Sequence, residues 1–288
     1  MREKVTVFEV GPRDGLQNEK ALVPTETKIA LVDALSACGF RKIEVTSFVS
    51  PKWVPQLADA GAVMAGIRRR PAVAYAVLTP NLKGLENALE GRADEVAIFA
   101  AASEGFSRKN INCSIEESYG RFVPLMDRAR EAGVPVRGYV SCVTDCPYDG
   151  PTAPETVAKV AAALFDIGCY EISLGDTIGR GTPETVAAML DAVTARLPAE
   201  HLAGHFHDTG GRALDNVAVC LERGVRTFDS SVSGLGGCPY APGKNGNVAT
   251  QSLVRFVEDK GYDTGIDPDG LAAAGRLAAA ILDHRDTP

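Results

Sequence analysis

Eight short runs rich in β-branched and aromatic residues alternate with longer Ala- and Leu-rich stretches, and this alternation leaves few folds open to the chain. The runs are residues 5–10 (VTVFEV), 42–47 (KIEVTS), 73–78 (VAYAVL), 95–100 (EVAIFA), 134–140 (VPVRGYV), 170–175 (YEISLG), 202–207 (LAGHFH) and 227–232 (TFDSSV). Most are nearly continuous in apolar character, as strands are when a parallel sheet is covered on both faces. The stretches between them carry helix-end signals. Residues 25–38 set Ile29, Val32 and Leu35 on one face, with Gly39 following as a terminal cap. Ser114 with Glu117, and Thr152 with Glu155, read as capping boxes, and Thr182 precedes Pro183 as a cap before a first-turn proline. Gly133, Gly168 and Gly224 stand where a helix hands over to the next strand. Eight strand–helix units predict a (β/α)8 TIM barrel of the α/β class. Residues 1–288 form one domain in this reading, with 268–284 as a helical extension. An open doubly wound sheet is the alternative. It lacks support, because the first strand leads into GPRDGLQNEK and not into a glycine-rich phosphate loop.

Composition bounds the partners. A chain of 288 residues, 45% of them hydrophobic, can bury a full core without staples. A net charge of −7 offers no basic face to nucleic acid or to an anionic membrane surface. No apolar run reaches the ~18 residues of a membrane span. The chain passes from MREK straight into its first strand, with neither a signal-peptide hydrophobic segment nor an arginine-rich transit segment. Its seven cysteines are odd in number and scattered, which suits reduced thiols and a cytoplasmic location. Cys142 and Cys146 lack a second pair at matching spacing, which argues against structural zinc.

Barrels of this type carry their chemistry where strands end and the following loops begin. Arg13 and Asp14 fall there after the first run, Ser103 and Glu104 after the fourth, and Asp176 after the sixth. Glu44 lies inside the second run. The seventh ends in LAGHFHD, with two of the chain's four histidines, His205 and His207, one residue apart. Strand residues two apart share a face, so both imidazoles can meet one cation, with Asp14 as a carboxylate ligand and Asn247 as a neutral one. This N/O set suits Mn²⁺, Mg²⁺, Co²⁺ or Zn²⁺. A His-x-His alone would more often be an internal hydrogen-bonded pair. Asp14 and Asn247 at the same rim favour a metal. Arg13 supplies a fixed cation where an enolate or alkoxide develops, with a rim salt bridge as the alternative. Glu44 is placed to hold Arg13. Asp176 reads equally as a substrate-site residue or a loop cap. Cys238 sits in GLGGCP, and a thiol on such a loop can pass a proton over a substrate; otherwise it is an incidental exposed cysteine.

The segments VFEVGPRDGLQNEK (7–20), IEVTSFVSPKWVPQ (43–56), SRKNINCSIEES (107–118), YVSC…CPYDG (139–150), EISLGDTIG (171–179), GHFHDT (204–209) and GLGGCPYAPG…GN (234–247) closely resemble those of 3-hydroxy-3-methylglutaryl-CoA lyases. The resemblance runs over nearly the whole chain, and the combination of motifs is highly specific. It implies a metal-dependent TIM barrel that cleaves an acyl-CoA to acetyl-CoA and acetoacetate, as in leucine degradation and ketone-body formation. It implies Mg²⁺ or Mn²⁺ held by Asp14, His205, His207 and Asn247, enolate stabilisation by Arg13, and Cys238 as the loop thiol. Glu44 and Asp176 match acidic positions of the family's site. Either Asp14 or His205 would be the base, and His205 or Cys238 the acid. The chain departs from the family pattern at Arg180, at Gly210 (with Arg212 following), at Lys244, and at Gln251 and Ser252, where ATQS replaces ATED. These changes suggest a pocket for a bulkier or more anionic 3-hydroxyacyl-CoA, or else neutral drift in exposed loops. A sister lyase or synthase and a non-catalytic metal- or CoA-ester-binding barrel are the competing functions. The adenine end of CoA is expected near Arg108 and Lys109, and a homodimer is the expected assembly.

Overall fold

The computed structural model describes residues 2–19, 21–236 and 246–283. Every predicted run is a strand: β1 (Thr6–Glu9), β2 (Lys42–Ser47), β3 (Ala74–Leu78), β4 (Glu95–Ala101), β5 (Val136–Ser141), β6 (Glu171–Asp176), β7 (Leu202–Phe206) and β8 (Thr227–Ser230). They close into a barrel in the order β1, β8, β7, β6, β5, β4, β3, β2. Each neighbouring pair is parallel, a geometry that requires the chain to return by a crossover. The crossovers contain α1 (Thr25–Ser36), α2 (Ala60–Gly66), α3 (Leu82–Glu90), α4 (Glu104–Ile111), α5 (Ile115–Ala132), α6 (Pro154–Asp166), α7 (Pro183–Thr194) and α8 (Ala213–Glu222). After β8 come α9 (Thr250–Asp259) and the expected C-terminal helix α10 (Pro268–Asp283), which lies against α1.

The strands have two unlike faces. Residues such as Ile43, Val77, Ile98, Val140, Leu174 and Phe206 point outward and join the helices in one large apolar core. The alternate residues point into the barrel, and many of them are charged. At its floor, Lys42 Nζ donates to Glu95 Oε2 at 3.0 Å and to the Tyr170 hydroxyl, while Arg137 is wholly buried one strand away. This polar interior accounts for the arginine within VPVRGYV and the glutamate within YEISLG.

Helix ends follow the predicted chemistry with two exceptions. Ser114 and Glu117 form a reciprocal capping box at the start of α5, and Thr182 caps α7 with Thr185 as its partner. Thr152 and Glu155 do not form the expected box. Pro154 lacks an N–H and takes the first helical position, so the cap falls on Ala153. Thr152 is left one residue too early, its N–H given to the Thr144 carbonyl and its Oγ1 buried without a partner. Helix α1 ends at Ser36, so Gly39 does not cap it. Gly39 instead makes a close passage, with φ of +94°, and a Cβ there would stand 2.4 Å from the Gly265 carbonyl oxygen. Gly133 is the left-handed cap of α5, with open space where a Cβ would go.

This contrast separates steric from conformational cost. Gly133→Ala is expected to lower stability in urea unfolding by about 1–2 kcal/mol, whereas Gly39→Ala adds a backbone clash and should cost at least ~1–3 kcal/mol more. Equal losses at both positions would show that the passage at Gly39 is not tight.

Candidate active site

A strand alone cannot aim two consecutive side chains at one point, because neighbours face opposite ways. After β1 the chain resolves this with a single wide helical turn, Gly11–Gly15. The N–H groups of Arg13, Asp14 and Gly15 all reach the Val10 carbonyl, at 3.2, 2.8 and 3.3 Å. Arg13 and Asp14 thereby both reach the C-terminal mouth. Gly15 has no Cβ because one would meet Ser231 Oγ at 2.7 Å and Leu235 Cβ at 2.8 Å. The segment that leaves β8 is thus seated directly on the turn.

At the mouth, one ligand atom from each of Asp14, His205 and His207 lies within 4.8 Å of the others. The two imidazole centroids are 5.5 Å apart. Asn247, buried and bridged to His207, donates through Nδ2 to Asp14 Oδ2 at 2.7 Å. Arg13 lies between two acids, with Nη1 2.5 Å from Asp14 Oδ1 and Nε 2.6 Å from Glu44 Oε2. The structure therefore brings Arg13, Asp14, Glu44, His205, His207 and Asn247 together. Asp176 shares no hydrogen bond with any of them among the described residues. Its carboxylate accepts from Thr144 Oγ1 at 2.8 Å, Gly181 N at 2.8 Å and Arg180 N at 3.2 Å, which is the loop-cap role. Cys238 and Lys244 lie outside the described residues.

Electrostatics separate the groups. Burial alone would raise the pKa of Asp14, but Arg13, both imidazoles and the Asn247 amide outweigh it and hold the carboxyl well below its ordinary range. Burial pulls both histidines down. For His205 it is outweighed by Asp229, whose Oδ2 is 3.1 Å from Nδ1, and the net shift is upward. His207 is pushed down to about 4 by burial and then by the charge of His205. Its Nδ1 is buried with no hydrogen-bond partner. An orphaned imidazole nitrogen beside an ionised carboxylate is unfavourable alone and suits a cation, so the donor set fits a divalent metal.

Several buried groups escaped sequence reasoning: Arg137 and Tyr139 on β5, Glu171 and Ser173 on β6, and Asp229 on β8. Their signal was present as an arginine within VPVRGYV and acids within YEISLG and TFDSSV, all at alternate positions. Three of the departures from the family pattern have a structural setting. Gln251 Oε1 accepts from Ser233 N at 2.9 Å and braces the segment after β8. Arg180 is exposed and 3.4 Å from Asp145, and Gly210 lets its loop pass the Gly179 carbonyl, which a Cβ would meet at 2.8 Å. Cys142 and Cys146 are buried with Ala101 and Phe106 and take no part in the metal-type cluster. A cavity of about 700 Å³ lies beyond β2, between α2 and α3, lined in part by Ser47, Asn81, Lys83 and Arg92.

A (β/α)8 barrel with a carboxylate, two imidazoles and a caged arginine at its C-terminal mouth is of the metal-dependent lyase class. The HMGL-like family pattern matches residues 4–278, and the chain belongs to that family. It is 56% identical over 280 residues to the 3-hydroxy-3-isohexenylglutaryl-CoA/hydroxy-methylglutaryl-CoA lyase of Pseudomonas aeruginosa, covering 97% of this chain and 93% of that protein. It superposes on the HMG-CoA lyase of Brucella melitensis with a TM-score of 0.96 at 60% identity, over 97% of this chain and 99% of that one. A second similar structure is an HMG-CoA lyase from Acinetobacter baumannii in complex with coenzyme A and 3-methylmalate (TM-score 0.92, 38% identity, 97% and 92% covered).

His207 is expected to make the metal-free protein sensitive to acid. Its folded pKa of about 4 lies below the ordinary 6.5, so between these values the unfolded chain binds the extra proton. Its contribution is therefore complete above pH 6.5 and lost as pH falls toward 4. Metal-free wild type should lose stability relative to His207→Gln as pH drops through this window, measured by urea unfolding. A pH-independent difference would contradict the assignment.

Proposed function

We propose that this protein is a divalent-cation-dependent carbon–carbon lyase that cleaves 3-hydroxy-3-methylglutaryl-CoA to acetyl-CoA and acetoacetate. One observation carries the reading: Asp14, His205 and His207 converge beside a guanidinium held by two acids. The names of the similar lyases, and the coenzyme A complex of one of them, support the substrate class.

Asp14, His205, His207 and Asn247 are the proposed ligands of Mg²⁺ or Mn²⁺. Such an ion, when bound, supplies Lewis acidity at the substrate's C3 hydroxyl. Asp14, or His205 where its Nε2 is free of the ion, takes the hydroxyl proton. The C2–C3 bond then breaks, leaving a ketone on the acetoacetate side and its electron pair on the thioester enolate. Arg13 stabilises that charge without reorganising, because Asp14 and Glu44 already fix its guanidinium. His205 or Cys238 returns a proton to the enolate carbon. The described ends of the segment bearing Cys238 support this. Gly236 packs on Gly15, and the Gly246 carbonyl accepts from Asp208 N at 2.6 Å. Glu44 serves the substrate site through Arg13, and Asp176 through the loop it caps. We take residues 1–288 as one domain and a homodimer as the assembly. The buried free thiols support a cytoplasmic location, and no described helix is long and apolar enough to cross a membrane.

A second reading is favoured by the Pseudomonas relative, whose name includes a longer 3-substituent. Here the chain would accept a bulkier acyl group, with Arg180 and Gly210 shaping the mouth.

Acetyl-CoA release measured anaerobically under metal control tests the chemistry. Chelation and His207→Ala should each abolish turnover, and Arg13→Gln should lower kcat by ~10²–10³ with little change in KM. Activity persisting after chelation in the His207→Ala variant would rule the reading out. Substrate choice is decided by kcat/KM on 3-hydroxy-3-methylglutaryl-CoA and on an analogue with a longer branched 3-substituent. A preference for the former of roughly 10-fold or more is expected, and comparable values would establish the second reading.

A further inference from the structure

Beneath the mouth, the barrel interior holds charged residues to which the cleavage scheme assigns no task. Arg137 is fully buried, and its Nε donates to Glu171 Oε1 at 2.7 Å. Nη2 donates to Asp229 Oδ1 at 2.8 Å, and Nη1 to both Asp229 Oδ2 at 3.1 Å and the Tyr139 hydroxyl at 3.0 Å. From this guanidinium two arms climb toward the site. On one, Asp229 Oδ2 also receives Ser173 Oγ at 2.8 Å and meets His205 Nδ1 at 3.1 Å. On the other, the Tyr139 hydroxyl donates to Glu44 Oε2 at 3.1 Å, the same oxygen that receives Arg13 Nε.

The donor inventory settles what these contacts mean. A carboxylate bonded through both oxygens to one guanidinium is ionised and can only accept. His205 Nδ1 must therefore carry the proton it gives Asp229, so the lone pair of the neutral ring is on Nε2. That nitrogen is 3.9 Å from Asp14 Oδ2, on the side of the cluster. Ser173 and Arg137 hold the carboxylate from below, so the plane of the imidazole is fixed as well.

We propose that Asp229 and Arg137 are positioning residues of the lyase. Asp229 sets the tautomer and orientation of His205, and Arg137 joins that arm to the one that orients Arg13. This rests on the reading that His205 helps to hold the cation. The competing view is that the column merely stabilises the barrel, as buried ion networks elsewhere do.

The tautomer is read directly, in a protein that folds, by ¹⁵N NMR of histidine-labelled, metal-free wild type at pH 8, with His205 assigned by loss of its signals in His205→Gln. A protonated Nδ1 is expected, with the lone pair on Nε2 once the ring is neutral, and an unprotonated Nδ1 overturns the proposal. Mn²⁺ binding followed by electron paramagnetic resonance should weaken ~10–100-fold in Asp229→Asn, with kcat lowered, KM for the acyl-CoA little changed, and partial rescue by saturating Mn²⁺. Arg137→Lys keeps the charge but loses the fork. Its kcat loss should resist Mn²⁺ rescue, because the Arg13 arm is displaced too. A folded Asp229→Asn that binds Mn²⁺ as wild type does would overturn this inference alone. Wild type that binds no Mn²⁺ would overturn the functional reading itself, while the NMR result would still decide the role of Asp229.

Discussion

The site depends on a guanidinium kept charged and still in a place that water barely reaches. Arg13 achieves this with a carboxylate on either side, Asp14 and Glu44. Moving a cation out of water costs several kcal/mol, and only close, well-aligned anions and hydrogen bonds offset it. The consequence reaches past Arg13. The positive charge keeps Asp14 ionised, as its proposed role as a metal ligand requires. Glu44 in turn is steadied by Tyr139, and Tyr139 by Arg137. Asp14, Arg13, Glu44, Tyr139, Arg137, Glu171, Asp229 and His205 thus form one connected set, in which displacing one member unsettles the others.

A barrel can carry so polar an interior because its stability comes mainly from elsewhere. The outward face of each strand meets the helix layer in a continuous apolar core, and that contact holds the strands in place. Inward positions are then available for groups that would be ruinous in a solely hydrophobic interior. The polar column rises from Lys42 and Glu95 at the floor, through Arg137 and Asp229, to the imidazoles at the mouth. Chemistry and stability are assigned to opposite faces of the same strands.

Much of this was legible in the sequence, for identifiable reasons. Strand boundaries were readable to within one or two residues because apolar runs and glycine hand-overs are local signals. The pairing of His205 with His207 was readable because side-chain parity on a strand is local too. Arg137 and Asp229 were passed over because an isolated charge within an apolar run looks like noise until its partner, 92 residues away, is known. Thr152 misled because its spacing to Glu155 fits a box, while Pro154 moves the helix start by one residue.

By itself, the sequence determined the number and order of strand–helix units, the common face of His205 and His207, and the residue types able to hold a cation and stabilise an enolate. All of these follow from periodicity and side-chain chemistry, which act over a few residues. Only the tertiary structure decided that Arg13 and Asp14 turn inward together, that Asp176 serves its own loop, and that His205 is backed by Asp229. The reason is geometric: closing the barrel sets distances between residues far apart in the chain, and a buried charge finds its partner only once those distances exist.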